Sequence, residues 1–448
     1  MFMSSMVRIG SAVGLFVFFA AANATQVSAA GFQLREQSSE GIGNAFAGSA
    51  AKATTPATIW YNPAGMTLLD GNQIAGSVTW IAPKATFSGT GTTALGNSTG
   101  SRNGGDAIMD AAVGATFAMW SFSKDLKFGL AVTSPFGLRS DYPADWTGRY
   151  FANHSAVTNI NINPNVAYRV NSNLSIGGGI QFDWINAKLS SQMNQNALCV
   201  ASLACPYRGT ILAGNPTLLP DGQLGFQGSD IGVGYNVGAL WEFSPSTRVG
   251  IAYRSQIQNT LKGDAWASGS LSQAYMTSIA PNRKVRADFT VPATATASVF
   301  HQIDDRWAVM ADIQWTGWSS FKALTVVGES TGKVLTETIE NWRDTWFFSL
   351  GANYKFAPGH TLHVGTAYDQ SAIEKASLRS VRVPDSDRYW LSTGYTWDVS
   401  KDVQWNVGYA HIFSPKSDTK LIDPKLGTIT GSYSGSVDMV STSFVYKF

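Results

Sequence analysis

The sequence predicts an all-β protein: a 14-stranded antiparallel transmembrane β-barrel with an N-terminal hatch, or plug, inside its lumen. Three observations predict it. Apolar and polar residues alternate in about fourteen segments between Gln73 and Phe448. The connections between them are long, short, long, short to the end, as outer loops and periplasmic turns are in bacterial outer-membrane barrels. Charged residues are only 14% and aromatics 12%, yet mean hydropathy is −0.03, as expected when half of each strand is polar.

The elements follow in order. Residues 1–29 carry Arg8, an apolar run from Ala12 to Ala22, and a small-residue site at Val27-Ser28-Ala29, the pattern of a secretory signal peptide. Cleavage is expected after Ala29, with Ala24 as the weaker site. Residues 30–70 are rich in Gly, Ala and Ser and show no period of two, so they form no lipid-facing strand. They are assigned to a plug in a lumen otherwise wide enough to conduct water.

The barrel is expected over residues 71–448. In Thr158–Val170, Ile160, Ile162, Val166, Tyr168 and Val170 share one face, and Asn161, Asn163, Asn165 and Arg169 the other. The break Asn171-Ser172 leads into a matching segment from Leu174, which reads as a tight hairpin. The remaining strands are expected to begin near Gln73, Met109, Leu126, Ile231, Thr247, Val285, Trp307, Trp346, Thr361, Tyr389, Val403 and Val437. Long polar loops are expected near 84–108, 135–157, 191–229, 263–284, 321–342, 372–387 and 414–434. The strand count is even, so both barrel ends fall in the periplasm. Trp120, Trp184, Trp241, Trp315, Tyr389 and Trp397 are placed in the interfacial girdles. The last strand, with Val440, Phe444, Tyr446 and Phe448 toward lipid, has the form read by the barrel-assembly machinery during biogenesis.

Cys199 and Cys205 are the only cysteines and lie in the longest outer loop. An oxidising compartment favours their pairing, with two free thiols as the alternative. That loop and the next are unusually apolar: Leu198, Val200, Leu203, Ile211, Leu212, Leu218, Leu219 and Phe226, then Trp266, Leu271, Tyr275, Met276 and Ile279. Such density marks an interaction surface or a self-packed cap. Strand phase turns Arg169, Arg248, Arg254 and Arg286 inward, along with Asp183, Asp288, Asp312 and Asp369. Of these, Arg169 and Arg254 are the candidates for holding a carboxylate.

The segments Ala30-Gly31-Phe32-Gln33-Leu34-Arg35-Glu36-Gln37, Gly41-Ile42-Gly43-Asn44-Ala45-Phe46-Ala47-Gly48 and Tyr61-Asn62-Pro63-Ala64-Gly65-Met66 resemble the hatch of the FadL family of outer-membrane long-chain fatty acid transporters. That family includes toluene and xylene channels. The resemblance implies passive uptake of hydrophobic molecules, captured at outer loops (Leu203, Leu212, Trp266, Met276), passed to a tight site at Phe32, and released sideways at a kink in the third strand. By position, Asn62, Pro63 and Ala64 are the hatch motif, and Pro135 and Gly137 mark the kink.

Enzymatic readings find little support. Gly96-Asn97-Ser98-Thr99-Gly100 matches Gly-x-Ser-x-Gly inside a Gly/Ser/Thr-rich loop, with no strand–helix elbow around it. His154 lacks an acidic partner and a serine fixed by sequence, and His360 and His363 fall on opposite faces of a strand. Gly177-Gly178-Gly179 precedes no helix, so it is no phosphate loop; it lets the hatch backbone approach the wall. No cofactor or metal is expected, and a net charge of +2 gives no reason to expect nucleic acid. The expected partners are long-chain fatty acids or other hydrophobic small molecules and outer-membrane lipid, with the chain a monomer. An aromatic-hydrocarbon channel, a structural or adhesive barrel and an outer-membrane lipid hydrolase are the alternative functions.

Overall fold

A computed structural model describes residues 31–215 and 218–448. The expected signal peptide lies outside the described residues. From Gln73 onward the chain forms one antiparallel sheet of nineteen hydrogen-bonded segments. These make fourteen staves, because five staves are each interrupted once.

The staves are β1 (Gln73–Thr92), β2 (Ala111–Ser121), β3 (Leu126–Thr133, resuming as Gly137–Asp141), β4 (His154–Arg169), β5 (Leu174–Met193) and β6 (Gly222–Ser244). Then come β7 (Thr247–Arg254 and Ile257–Ser268), β8 (Lys284–Val291 and Thr294–Gln302), β9 (Trp307–Thr316 and Ala323–Gly328) and β10 (Val334–Ile339 and Thr345–Ala357). The last are β11 (His360–Asp369), β12 (Arg388–Asp398), β13 (Val403–Asp423) and β14 (Gly427–Lys447). β1 pairs with both β2 and β14, which closes the cylinder and leaves no edge strand.

Several loops are shorter than expected. β13 and β14 run on as a hairpin that turns only between Asp423 and Gly427, so 414–434 is mostly strand. β1 likewise continues to Thr92. Beyond the bilayer the outer face meets water, so Ser, Thr and Gly replace its apolar residues and the sequence alternation fades. One-sided burial persists: Thr419, Ile429 and Tyr433 point inward and are buried.

Below the breaks the pattern is that of a membrane wall. Ile180, Val233, Ile251, Leu350, Leu391 and Val440 stand 52 to 62% exposed on the outside. Asn161, Asn163, Gln181, Ser298 and Asp312 are buried within. Across the breaks in β7 and β8 the inward phase changes. On β7, Gly250, Ala252 and Arg254 face the hatch below Ser255, whereas Ile257, Leu261 and Ala265 face inward above it. On β8 the inward set is Thr294, Ser298 and Phe300 below, and Val285, Ala287, Phe289 and Val291 above. Arg286 and Asp288 therefore face outward, contrary to the phase read from sequence. Their stretch stands beyond the membrane, where the polar face belongs outside.

The segment before β1 fills the lumen. It carries two short helices, α1 (Ser39–Gly43) and α2 (Thr58–Tyr61), and a 3-10 helix at Pro63–Leu68. Nearly all of it is buried. Its hydrogen bonds go to the wall: Gly48 N–H to Asp312 Oδ1 (2.5 Å), Ala50 N–H to Ser298 Oγ (3.0 Å), and Asn44 Nδ2 to Asn353 Oδ1 (2.8 Å). Lumenal glycines leave room for it. A Cβ at Gly177 would lie 2.7 Å from Ala64 N and 2.8 Å from the carbonyl carbon of Pro63. Gly177, the first of the β5 glycine run, thus lets the hatch motif touch the wall, whereas Gly178 and Gly179 lie against the neighbouring staves.

Candidate functional site

Above the breaks, the inward faces of the staves pack into an apolar interior, the outer chamber, that includes Leu138, Ile185, Leu189, Phe226, Leu261 and Val326. At its floor sits Phe32, 2% exposed and ringed by Phe136, Phe289, Trp318, Phe321 and Trp342 at centroid distances of 4.8 to 6.0 Å. Mostly edge-on or tilted, these ring pairs favour one another by about 0.5–1.5 kcal/mol each beyond burial. Gly31, at φ +64°, turns the backbone beneath Trp318 and Trp342, where a Cβ would meet both rings.

Phe32 also touches the break in β3. Gly137 N–H donates to Phe32 O (2.8 Å) and Leu34 N–H to Pro135 O (2.7 Å). Gln37 Nε2 donates to Ser134 O (3.0 Å). The leading segment therefore satisfies backbone groups that the interrupted stave would otherwise leave unpaired. The wall is unpaired at the same level. β2 and β3 pair only from Thr116 with Val132 downward, and contact resumes above at the Ile108–Ser140 bridge. The span between is a gap in the β2–β3 ladder, with Pro135 and Phe136 at its edge.

Below the cage, a cavity between hatch and wall is lined by Leu34, Phe46, Trp60, Phe347, Arg35 and Arg254, among others. Arg35 is paired with Asp369 (3.7 Å). Arg254 stacks over Trp60 (3.4 Å to the ring centroid) and donates to Gln181 Oε1 (2.7 Å) and Asn163 Oδ1 (3.1 Å). Among the described residues no carboxylate oxygen lies within ion-pairing distance of Arg254. Arg169 is different. It pairs with Glu242 (3.2 Å) and donates to Thr67 O (3.0 Å), so its guanidinium already has a carboxylate partner.

Asn62 ties the hatch motif together. Its amide donates to Ala50 O (2.7 Å) and Ala239 O (3.0 Å), and its Oδ1 accepts from Ala64 N–H (3.1 Å). Pro63 opens the 3-10 helix, where a missing N–H costs nothing.

The outer-loop residues divide. Met276, on α5 (Ser270–Ile279) after the loop helices α3 (Gln195–Ala201) and α4 (Arg208–Leu212), is buried in the chamber with Ile279. Trp266 is half-buried, with the Lys188 ammonium 5.7 Å from its ring. Leu203 and Leu212 instead project into solvent, 89% and 57% exposed, and do not join the chamber. The segment carrying them is closed by the Cys199–Cys205 disulfide, which holds α3 and α4 as a compact surface lobe. Ser98 is exposed, with no helix after it. Sequence reading missed Trp318, Phe321 and Trp342, since the breaks in β9 and β10 that gather them carry no local signal.

The chain matches the sequence profile described as outer membrane protein transport protein (OMPP1/FadL/TodX) over residues 20–448. It is 27% identical to the long-chain fatty acid transport protein of Escherichia coli O6:H1, over 95% of this chain and 96% of that one. The crystal structure of a FadL homologue of Pseudomonas aeruginosa superposes with a TM-score of 0.85 at 24% identity, covering 94% of this chain and all of that one. That of the Ralstonia pickettii toluene transporter TbuX gives 0.63 at 18% identity, over 94% and 99%.

Proposed function

Because this chain belongs to the outer-membrane transport family of OMPP1, FadL and TodX, which makes it an outer-membrane transporter of hydrophobic compounds and not an enzyme, we propose that its cargo is long-chain fatty acids. The cargo enters the apolar chamber from the outer side. Burial of an acyl chain there favours capture by about 25 cal/mol per Å². Withdrawal of Phe32 from its cage admits the chain to the cavity beneath, and the gap in the β2–β3 ladder serves as a side window that releases it into the membrane. Pro135 and Gly137 keep that window open by denying β3 a continuous ladder.

The observation that carries the cargo class is Arg254: among the described residues no carboxylate lies within ion-pairing distance of its guanidinium, and it lines a cavity where Leu34, Phe46, Trp60 and Phe347 alternate with polar side chains that include Gln33, Ser49, Thr294 and Asp312. An ionised headgroup would complete it with a charge-assisted hydrogen bond. Arg254→Gln should lower oleate uptake by cells on the order of tenfold, with alkylbenzene uptake unchanged. Equal oleate uptake in variant and wild type would refute the assignment.

A second reading, uptake of aromatic hydrocarbons, is favoured by the ring cage, since a flat neutral solute could replace the Phe32 ring among the same five neighbours. Deleting the gene and measuring uptake of oleate and of an alkylbenzene separates the two.

A further inference from the structure

The connection between β11 and β12, residues 370–387, folds back over the chamber, and its Ala372, Ile373 and Val383 are buried with the chamber residues. The same connection brings in Arg382. Its Nη1 donates to His154 O (3.2 Å), Ser155 Oγ (3.0 Å) and Ser190 O (3.3 Å) on β4 and β5. The side chain lines a small cavity whose walls combine aliphatic and aromatic side chains, among them Leu189, Phe226 and Leu335, with hydroxyl-bearing Ser190, Ser191, Thr336 and Thr338.

Its neutralisation is incomplete. Two other guanidinium groups at this end do have acidic partners: Arg388 is paired with Asp369 and Asp385, and Arg149 with Asp221. Among the described residues, no carboxylate oxygen lies within ion-pairing distance of Arg382. The carboxyl acting on it most strongly is Glu340, which accepts from Trp342 Nε1 (2.8 Å). Burial pushes Glu340 up to about 8, so it is mostly uncharged at neutral pH. A cation set in a partly apolar cavity at such desolvation cost calls for an anion with an apolar tail.

We propose that Arg382 is the carboxylate-recognition group of the outer chamber, selecting amphiphilic monocarboxylates over neutral hydrocarbons before the cargo meets Phe32. This rests on the reading of the chamber as the cargo entrance. The headgroup oxygens would take the guanidinium donors facing the cavity while the acyl chain lies along the aliphatic wall. Arg254 then offers a second cation below the cage, so the headgroup has a station on each side of Phe32.

The test measures binding of oleate and of oleyl alcohol to purified protein carrying Arg382→Gln or Arg382→Lys, with uptake of both by cells. Wild type should prefer oleate. Arg382→Gln should lose that preference, on the order of tenfold in oleate affinity, with oleyl alcohol binding unchanged, and Arg382→Lys should keep part of it. Unchanged oleate affinity in Arg382→Gln, or equal loss of both ligands, would overturn the proposal. The first outcome would leave fatty acid uptake itself standing. Failure of wild-type cells to take up oleate would instead remove the parent reading.

Discussion

The half of the barrel in the membrane and the half beyond it are inside-out versions of each other. Below the breaks, Ile251 and Val233 face lipid while Asn163, Ser298 and Asp312 face a lumen filled with hydrogen-bonded hatch. Above them, Lys262, Arg286 and Asp288 face water while Leu261, Ala287 and Phe289 face each other. The same staves build both halves, and on β7 and β8 an interruption changes the phase between them. What sets polarity is the surrounding medium, since a wall residue follows the solvent on its side. The result is an apolar chamber outside the membrane, standing over a polar, blocked bore inside it.

Substitutions at matched places break or sharpen this comparison. The largest effect is expected where the halves meet. Phe32→Ala empties the centre of the cage and should cost about 3–5 kcal/mol of local stability. Native-state hydrogen exchange of residues 31–37 checks it, and unchanged protection would show that the cage does not hold the leading segment.

The contrast between halves comes next. Ile251→Arg places a charge in lipid and should cost about 2–4 kcal/mol, whereas Arg286→Leu on the outer half should stay within about 0.5 kcal/mol. Urea unfolding from bilayers measures both, and comparable losses would deny that the faces are inverted.

Within the lower half, Gly177→Ala drives a methyl group against Pro63 and Ala64 of the hatch and should cost about 1–3 kcal/mol. The same unfolding experiment reads it, and a neutral result would mean the motif does not bear on the wall.

The smallest effect is electrostatic. Glu340 sits in the short connection that interrupts β10, where burial favours its neutral form. Its contribution to stability is full below the ordinary carboxylate range and is lost as pH rises through about 8. Above that pH its charge opposes a carboxylate at Arg382, whose other titratable neighbour is Tyr142. Oleate affinity should therefore fall roughly threefold from pH 7 to 9. Glu340→Gln should flatten the profile, and an unchanged profile in that variant would exclude Glu340 as its source.

The membrane half was legible in the sequence because lipid outside and hatch inside impose strict alternation, as in Thr158–Val170. The Asn62-Pro63-Ala64 motif and the role of Gly177 were legible for a similar reason, since small residues record close approach. The outer half was not. Its outward residues answer only to water, so β13 and β14 read as a loop where they continue as strands. Arg286 and Asp288 were placed inward because a period of two cannot report a phase change at a break. The cage around Phe32 draws rings from the β3 break, β8 and the interruptions of β9 and β10. Only the folded barrel brings these together, and Arg382 arrives from a connection with no period at all.

The central claim is that a bore stoppered by its own leading segment still passes greasy solutes through a side window. Ion conductance and oleate uptake recorded on one preparation of proteoliposomes test it most directly. The account predicts oleate entry with no ohmic conductance in the unmodified protein, and loss of that entry when Pro135 and Gly137 are replaced by valine to complete β3. A stable open-pore current in the unmodified protein, or undiminished oleate entry in the valine variant, would contradict it.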